Sequence, residues 1–266
     1  MIKDITIGQY YPTNSIVHKL DPRVKIIGTF LFMISLFIIN SFRTYIWVLM
    51  FLIFSLRLSK IPVRYVLKGL RPLLFILIFT LVINAFMTPG EVIYSIKTVT
   101  ITKEGLTQGV FMVIRLIFLI TGTSLLTLAT SPIELTDGIE KLLDPFKKIK
   151  VPSHELAMMM TIALRFIPTL LDETDKIMKA QMARGADFES KNFLNRAKSL
   201  IPLLVPLFIS SFRRADELAM AMEARCYRGG ENRTKMKQIK LGKKDYIAFS
   251  ILALYFIIVI AFQLRW

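Results

Sequence analysis

The sequence predicts an all-α polytopic membrane protein, with about five transmembrane helices and a cytoplasmic set of amphipathic helices. Three observations carry that prediction. Of 266 residues 54% are hydrophobic and mean hydropathy is +0.54, outside the range of a soluble domain. Four apolar runs, 24–41, 72–89, 108–130 and 246–264, are long enough to cross a bilayer, and a fifth, 44–58, becomes so if Arg43 and Arg57 snorkel. The net charge of +16 gathers in alternate links between these runs, as expected of cytoplasmic loops.

Lys3, Lys19, Arg23 and Lys25 lie in or beside the N-terminal arm, and Arg57, Lys60, Arg64, Lys68 and Arg71 fill the second-to-third link without an acid. The opposite links hold Arg43 alone, and Lys97 and Lys103 offset by Glu91 and Glu104. This asymmetry predicts a cytoplasmic N-terminus and an external C-terminus, and it accounts for the charge without a nucleic-acid partner. Residues 1–20 are polar and mixed, with no signal-peptide core, so the first span is expected to be retained. The organisation is then a transmembrane region over 1–130, a cytoplasmic region over 131–244 and a last transmembrane helix over 245–266.

Asp21-Pro22 is a helix start, the acid capping and the proline sitting where a missing N–H costs nothing. Ile61-Pro62 and Arg71-Pro72 punctuate the second link and set the start of the third span. In 91–102, Val92, Ile93, Val99 and Ile101 alternate and fit a short hairpin or an interfacial segment. Residues 133–143 read as an amphipathic helix ending near Asp144-Pro145, and Val151-Pro152-Ser153 offers the next cap, with Glu155 in the first turn. Residues 156–171 are apolar apart from Arg165, and Pro168 is expected to kink or break that helix. Beyond it Leu171, Thr174, Ile177, Met178 and Met182 recur at helical spacing, and Gly185 supplies a stop. Residues 186–198 read as a turn and a short basic helix. Residues 200–212, interrupted by Pro202 and Pro206, run into a helix stopped by Gly229-Gly230. A lysine-rich link, 233–244, precedes the last span.

One pattern occurs twice. Asp175, Ile177, Ala180, Ala183, Arg184 and Gly185 are matched by Asp216, Leu218, Ala221, Ala224, Arg225 and Cys226. On a helix, Arg184 shares a face with Ala180 and Ile177, and Arg225 with Ala221 and Leu218. Alanines permit close approach, the aliphatic residue anchors, and a guanidinium at the helix end can fork onto a partner carboxylate. A single cation at a helix C-terminus is explained by the macrodipole alone, at about 0.3–1 kcal/mol. Two copies with matching positions point instead to two similar partners.

About eight of the thirteen methionines fall between Met158 and Met236, including Met158, Met159 and Met160. They suit either an adaptable binding surface or an irregular helical core. Walker, HExxH and GxSxG patterns are absent, so no enzyme is expected. The single cysteine excludes an internal disulfide, and His18 and His154 lack the clustered donors of a metal site. Arg115 lies deepest in a span and has no acid in that span; helix packing or an interfacial position accounts for it as well as function does.

The segments Ser15-Ile-Val-His18-Lys-Leu20-Asp21-Pro22-Arg23-Val-Lys25, Leu164-Arg165-Phe166-Ile167-Pro168, Ala183-Arg184-Gly185, Phe212-Arg213-Arg214-Ala215 and Ala224-Arg225-Cys226-Tyr227-Arg228-Gly229 carry a resemblance. Through them nearly the whole chain resembles the transmembrane coupling subunits (T-components, EcfT) of energy-coupling factor transporters, the ABC-type importers of vitamins and trace metals. The resemblance implies a complex at a prokaryotic plasma membrane. Its other parts are two ABC-type ATPases (EcfA-type, a heterodimer), which bind the ATP, and a small membrane S-component, which captures the substrate. This chain would itself hold no cofactor. Ala183, Arg184 and Gly185 would dock one ATPase, Ala224, Arg225 and Cys226 the other, with Cys226 standing where glycine is usual. Met158, Met159, Met160, Leu204 and Leu207 would face the S-component. The competing reading is a stand-alone carrier or enzyme whose basic cytoplasmic segment binds lipid.

Overall fold

The computed structural model describes residues 10–96, 99–186, 188, 193–230 and 239–265. Lys3 and the rest of the first nine residues, Lys97, and Met236 with the first half of the lysine-rich link lie outside the described residues. Nine helices are described: α1 (Pro22–Ile38), α2 (Tyr45–Ser59), α3 (Val63–Leu70), α4 (Leu74–Met87), α5 (Lys103–Ala129), α6 (Pro132–Leu143), α7 (Ser153–Ala183), α8 (Phe193–Ala224) and α9 (Lys243–Arg265). Strands β1 (Val92–Ile96) and β2 (Val99–Thr102) pair antiparallel between α4 and α5, so of the two forms expected for 91–102 the hairpin is present. The chain divides into two compact units, one of Gly8–Gly138 with Gln238–Trp266, the other containing Ile139–Lys237.

All five predicted spans are helical, in α1, α2, α4, α5 and α9. Among the described residues four helical stretches are long and apolar enough to cross a membrane: Val63–Met87, Lys103–Ala129, Ser153–Ala183 and Lys243–Leu264, with Tyr45–Ser59 shorter. The protein is therefore a polytopic helical membrane protein. Its outer surface agrees, since Phe75, Ile78 and Phe79 of α4 are 76%, 61% and 54% exposed, an arrangement water would penalise and lipid does not. Third-span placement needs correction: Pro72 sits in a 3-10 turn that joins α3 to α4, so the helical stretch begins at Val63. Proline tolerates that position because the first turn of a helix needs no donor.

Contacts within the first unit give the direction of each span. Asp21 N–H donates to Asp245 Oδ1 at 2.8 Å where α1 and α9 begin, and Asn40 N–H reaches Gln263 Oε1 at 3.2 Å where they end. Between these, Ser35 and Tyr255 share a buried hydrogen bond of 2.8 Å. Helices α1 and α9 thus run in the same direction. Helix α5 runs against them, because its last residue Ala129 meets Lys25 while Arg115, earlier in α5, meets Ile39. Helix α4 opposes α5, with Gly109 against the Leu81 carbonyl and Gly105 against that of Asn84. A Cβ at Gly105 would lie 2.5 Å from that carbonyl oxygen, so only glycine admits this approach.

Two polar clusters hold the ends of these helices. At the start of α1, Asp21 accepts from Arg23 N–H at 2.8 Å and pairs with its guanidinium at 2.8 Å, as the capping pattern predicts. Burial raises the Asp21 carboxyl, but the Arg23 hydrogen bonds and charge outweigh it and hold the group below the usual carboxylate range. The Lys25 ammonium, on a residue 8% exposed, donates to the His18 and Ala129 carbonyls, each at 3.0 Å. The His18 ring bridges the Tyr11 carbonyl (3.0 Å) and the Ser15 hydroxyl (2.6 Å). At the other end Arg115 donates to the Ile39 carbonyl at 2.6 Å and the Tyr45 hydroxyl at 3.2 Å, over the Phe111 ring. Its role is to close the C-terminus of α1.

In the second unit, Ser153 opens α7 without capping it; its buried hydroxyl donates to Asp144 Oδ1 at 3.4 Å. Pro168 does not break α7, which continues for 31 residues. The expected basic helix near 198 is the first part of α8, which runs unbroken for 32 residues through Pro202 and Pro206. Pro206 has no N–H for the Pro202 carbonyl, and that oxygen accepts from Gln181 Nε2 at 3.5 Å.

Arg115→Leu removes the donor to Ile39 and is expected to cost about 1–3 kcal/mol, read as a lowered Tm of the detergent-solubilised protein. An unchanged Tm would refute the capping role. Burial lowers the His18 pKa from 6.5, against a smaller rise from its Tyr11 hydrogen bond. The folded state therefore binds fewer protons than the unfolded one. Stability should be complete above pH 6.5 and fall below it, and a His18→Gln variant should show a flatter dependence in melts run across that range.

Candidate functional site

Helices α7 and α8 both belong to the second unit, and their pairing is antiparallel. Gln181 of α7 meets Pro202 of α8. Farther back in α7 and farther on in α8, Glu173 meets Ser210 and Arg214. At the N-terminal end of α7, the His154 ring lies where a Cβ on Gly230, just past α8, would come within 2.6 Å of it. Leu203 and Leu207 share the inner face of α8 with Ser210 and Arg214, four, seven and eleven residues along. The opposite face carries Ile201, Leu204, Val205, Phe208, Ile209 and Phe212, all more than half exposed.

The two arginine motifs end these helices in the same way. After α7, Gly185 N–H bonds to the Met182 carbonyl and Ala186 N–H to that of Gln181, both at 3.0 Å. After α8, Cys226 N–H bonds to the Glu223 carbonyl at 2.8 Å and Tyr227 N–H to that of Met222 at 3.0 Å. Each set is a Schellman motif, in which backbone donors past the helix satisfy its last carbonyls. It requires a left-handed residue, supplied by Gly185 at φ 89° and Cys226 at φ 54°. Cysteine therefore does not disturb the turn. The second helix ends at this motif, ahead of the stop read at Gly229-Gly230.

Ala180, Ala183 and Arg184 are exposed, as are Ala221, Ala224 and Arg225, while Ile177 and Leu218 are half-buried. Among the described residues neither guanidinium has an ion-pair partner. The arrangement offers two small-residue faces, each ending in an uncovered planar cation suited to a carboxylate-bearing groove. Of the other residues named from the sequence, Met159 and Leu204 are exposed and Met158, Met160 and Leu207 half-buried. Among the described residues no cluster of His, Cys, Asp and Glu could hold a metal ion.

A family model described as a cobalt transport protein, CbiQ, matches residues 13–236. The chain belongs to that family. The matched region contains both motifs, the capping cluster at Asp21 and helices α1 to α8. A Clostridium kluyveri protein named energy-coupling factor transporter transmembrane protein EcfT is 63% identical over 250 residues, 93% of each chain. Proteins of the same name from Thermosediminibacter oceani and Bacillus subtilis are 64% and 51% identical over 248 and 246 residues. These alignments cover 93% and 92% of this chain and 94% and 93% of those proteins. The resemblance to T-components read from the motifs is borne out by this similarity to CbiQ-family transporter components.

Glu173 and Ser210 were not singled out by sequence reasoning, and Arg214 only within the segment Phe212-Arg213-Arg214-Ala215 that carries the resemblance. The signal was present, because Glu173 and Arg214 stand at the same place in the two copies, 41 residues apart like the arginines. A left-handed residue bearing a Cβ costs roughly 1–2 kcal/mol. Cys226→Gly should therefore stabilise the protein by up to about 1 kcal/mol, and Gly185→Val, in open space at φ 89°, should destabilise it. Thermal unfolding in detergent checks both signs.

Proposed function

We propose that this chain is the non-catalytic coupling subunit of an energy-coupling factor importer for a vitamin or other micronutrient. It lies in the plasma membrane of a prokaryote, with its N-terminus cytoplasmic and its C-terminus external. Two ABC-type ATPases bind and hydrolyse ATP, one gripped by Arg184 with Ala183 and Gly185, the other by Arg225 with Ala224 and Cys226. The observation that carries the reading is the pair of identically closed helix ends, each leaving its arginine exposed. A repeated tip suits a dimeric or pseudo-dimeric partner, and the similarity to transporter components supports an ATPase pair as that partner.

The exposed apolar stripe of α8, including Leu204, and Met159 on α7 then serve the S-component, which captures the substrate. Closure of the ATPase dimer would displace the tips, and α7 and α8 would carry that displacement to the S-component. No cofactor is required in the chain itself. The charge pattern and the direction of the spans support the orientation, since the starts of α1 and α9 and the end of α5 come together at Asp21, Asp245, Lys25 and Ala129.

Arg184→Glu combined with Arg225→Glu should abolish co-purification of the ATPases while the chain still inserts in the membrane. ATPases retained at wild-type levels would refute the docking assignment.

A further inference from the structure

We propose that Glu173, Ser210 and Arg214 form a fulcrum that fixes the register of α7 against α8 and so the spacing of the two arginine tips. The proposal rests on the coupling reading above and adds to it a positioning site remote from both tips. Glu173 uses both carboxylate oxygens across the helix pair: Oε2 accepts from Arg214 Nη2 at 2.7 Å and Oε1 accepts from the Ser210 hydroxyl. Ser210 and Arg214 are four residues apart, on one face of α8. One carboxylate thereby reads two consecutive turns, and a slip of one turn, about 5.4 Å, would break both bonds.

The position of this cluster in the repeat separates it from an ordinary surface ion pair. Glu173 and Arg214 are equivalent positions of the two copies, and each stands eleven residues before its arginine, Arg184 or Arg225. Because the helices are antiparallel, a rise of about 1.5 Å per residue sets the tips roughly 16 Å from the cluster in opposite directions. The contact lies at the midpoint between the tips, near the local two-fold axis that relates the copies. Glu173 and Arg214 side chains are 23% and 34% exposed, enough shielding to bias the pair toward one geometry. The neighbouring Asp175–Lys179 ion pair, at 2.7 Å, joins two residues of α7 itself.

A fulcrum is needed if displacement of a tip is to become rotation of a helix. Without it the helices can slide, and the same displacement is lost as a change of register. One-turn ratchets between packed elements are a known mode of switching.

The experiment uses the full chain in its complex with the ATPases, in nanodiscs. Ketone-reactive spin labels go on p-acetylphenylalanine introduced in place of Lys179 and Met220, equivalent exposed positions, which leaves Cys226 untouched. The parent should give one narrow inter-label distance. Glu173→Arg and Arg214→Glu should each lose it, gaining a population displaced by about one helical turn, ~5 Å. The double swap, Glu173→Arg with Arg214→Glu, should recover the narrow distance. ATPase co-purification is expected to persist in all three variants, which distinguishes failure at the fulcrum from failure of the docking tips. An unchanged distance in the single variants overturns the proposal. A swap that stays broad overturns it too, as does loss of the ATPases that the swap does not restore.

Discussion

Carbonyl groups at the ends of helices, with no water to bond them, are the constraint on which the rest of this structure depends. Each buried helix leaves its last carbonyls without intrahelical donors, and in hydrocarbon an unsatisfied one costs several kcal/mol. The first unit answers with cations. Arg115 reaches from α5 to the Ile39 carbonyl that closes α1, and Lys25 reaches from α1 to the Ala129 carbonyl that closes α5. The two helices cap one another, and their antiparallel register follows. An unpaired intramembrane charge, which invites a functional reading, is here a structural donor whose acceptor is backbone.

The same constraint, met differently, creates the functional surface. At the ends of α7 and α8 the last carbonyls are closed by backbone N–H groups beyond the helix, through the left-handed turns at Gly185 and Cys226. Arg184 and Arg225 are therefore released from the capping work that Arg115 and Lys25 perform. A cation at a helix end is available to a partner only when something else satisfies the carbonyls. That distinction, between side chains that cap and side chains left over by a Schellman motif, separates the two classes of basic residue here, and exposure follows it: Lys25 is buried and Arg115 half-buried, whereas Arg184 and Arg225 are exposed.

How far the fold was legible follows from the range of each interaction. The five apolar runs, the Asp21 cap and the paired motifs depend on local pattern; the runs are helical, the cap and motifs are present, and of the two forms read for 91–102 the hairpin is the one formed. The misreadings came from prolines. Pro72 was read as the start of a span, Pro168 as a kink or break and Pro202 and Pro206 as interruptions, yet a 3-10 turn absorbs the first and α7 and α8 run on through the others without a break. One freed carbonyl, that of Pro202, finds Gln181 on the neighbouring helix, and no local rule can supply such a donor. Arg115 was ambiguous for the same reason, its acceptor lying 76 residues away. At the candidate site the tips were readable because the repeat advertises them. The faces of α8 were not, since Leu204 and Leu207 are chemically alike and only the partner helix separates the exposed one from the half-buried one.

The repeat also explains why opposite charges sit at its centre. In an antiparallel pair related by a local two-fold, equivalent residues near the axis face one another, so like side chains there would repel or compete. Glu173 opposite Arg214 makes a bond at that place, while the matching motif residues far from the axis, Ala180 with Ala221 and Arg184 with Arg225, never meet. By the same reasoning Cys226 is tolerated opposite Gly185: the two turns lie at opposite ends of the pair, and each needs only a left-handed residue small enough to leave its arginine uncovered.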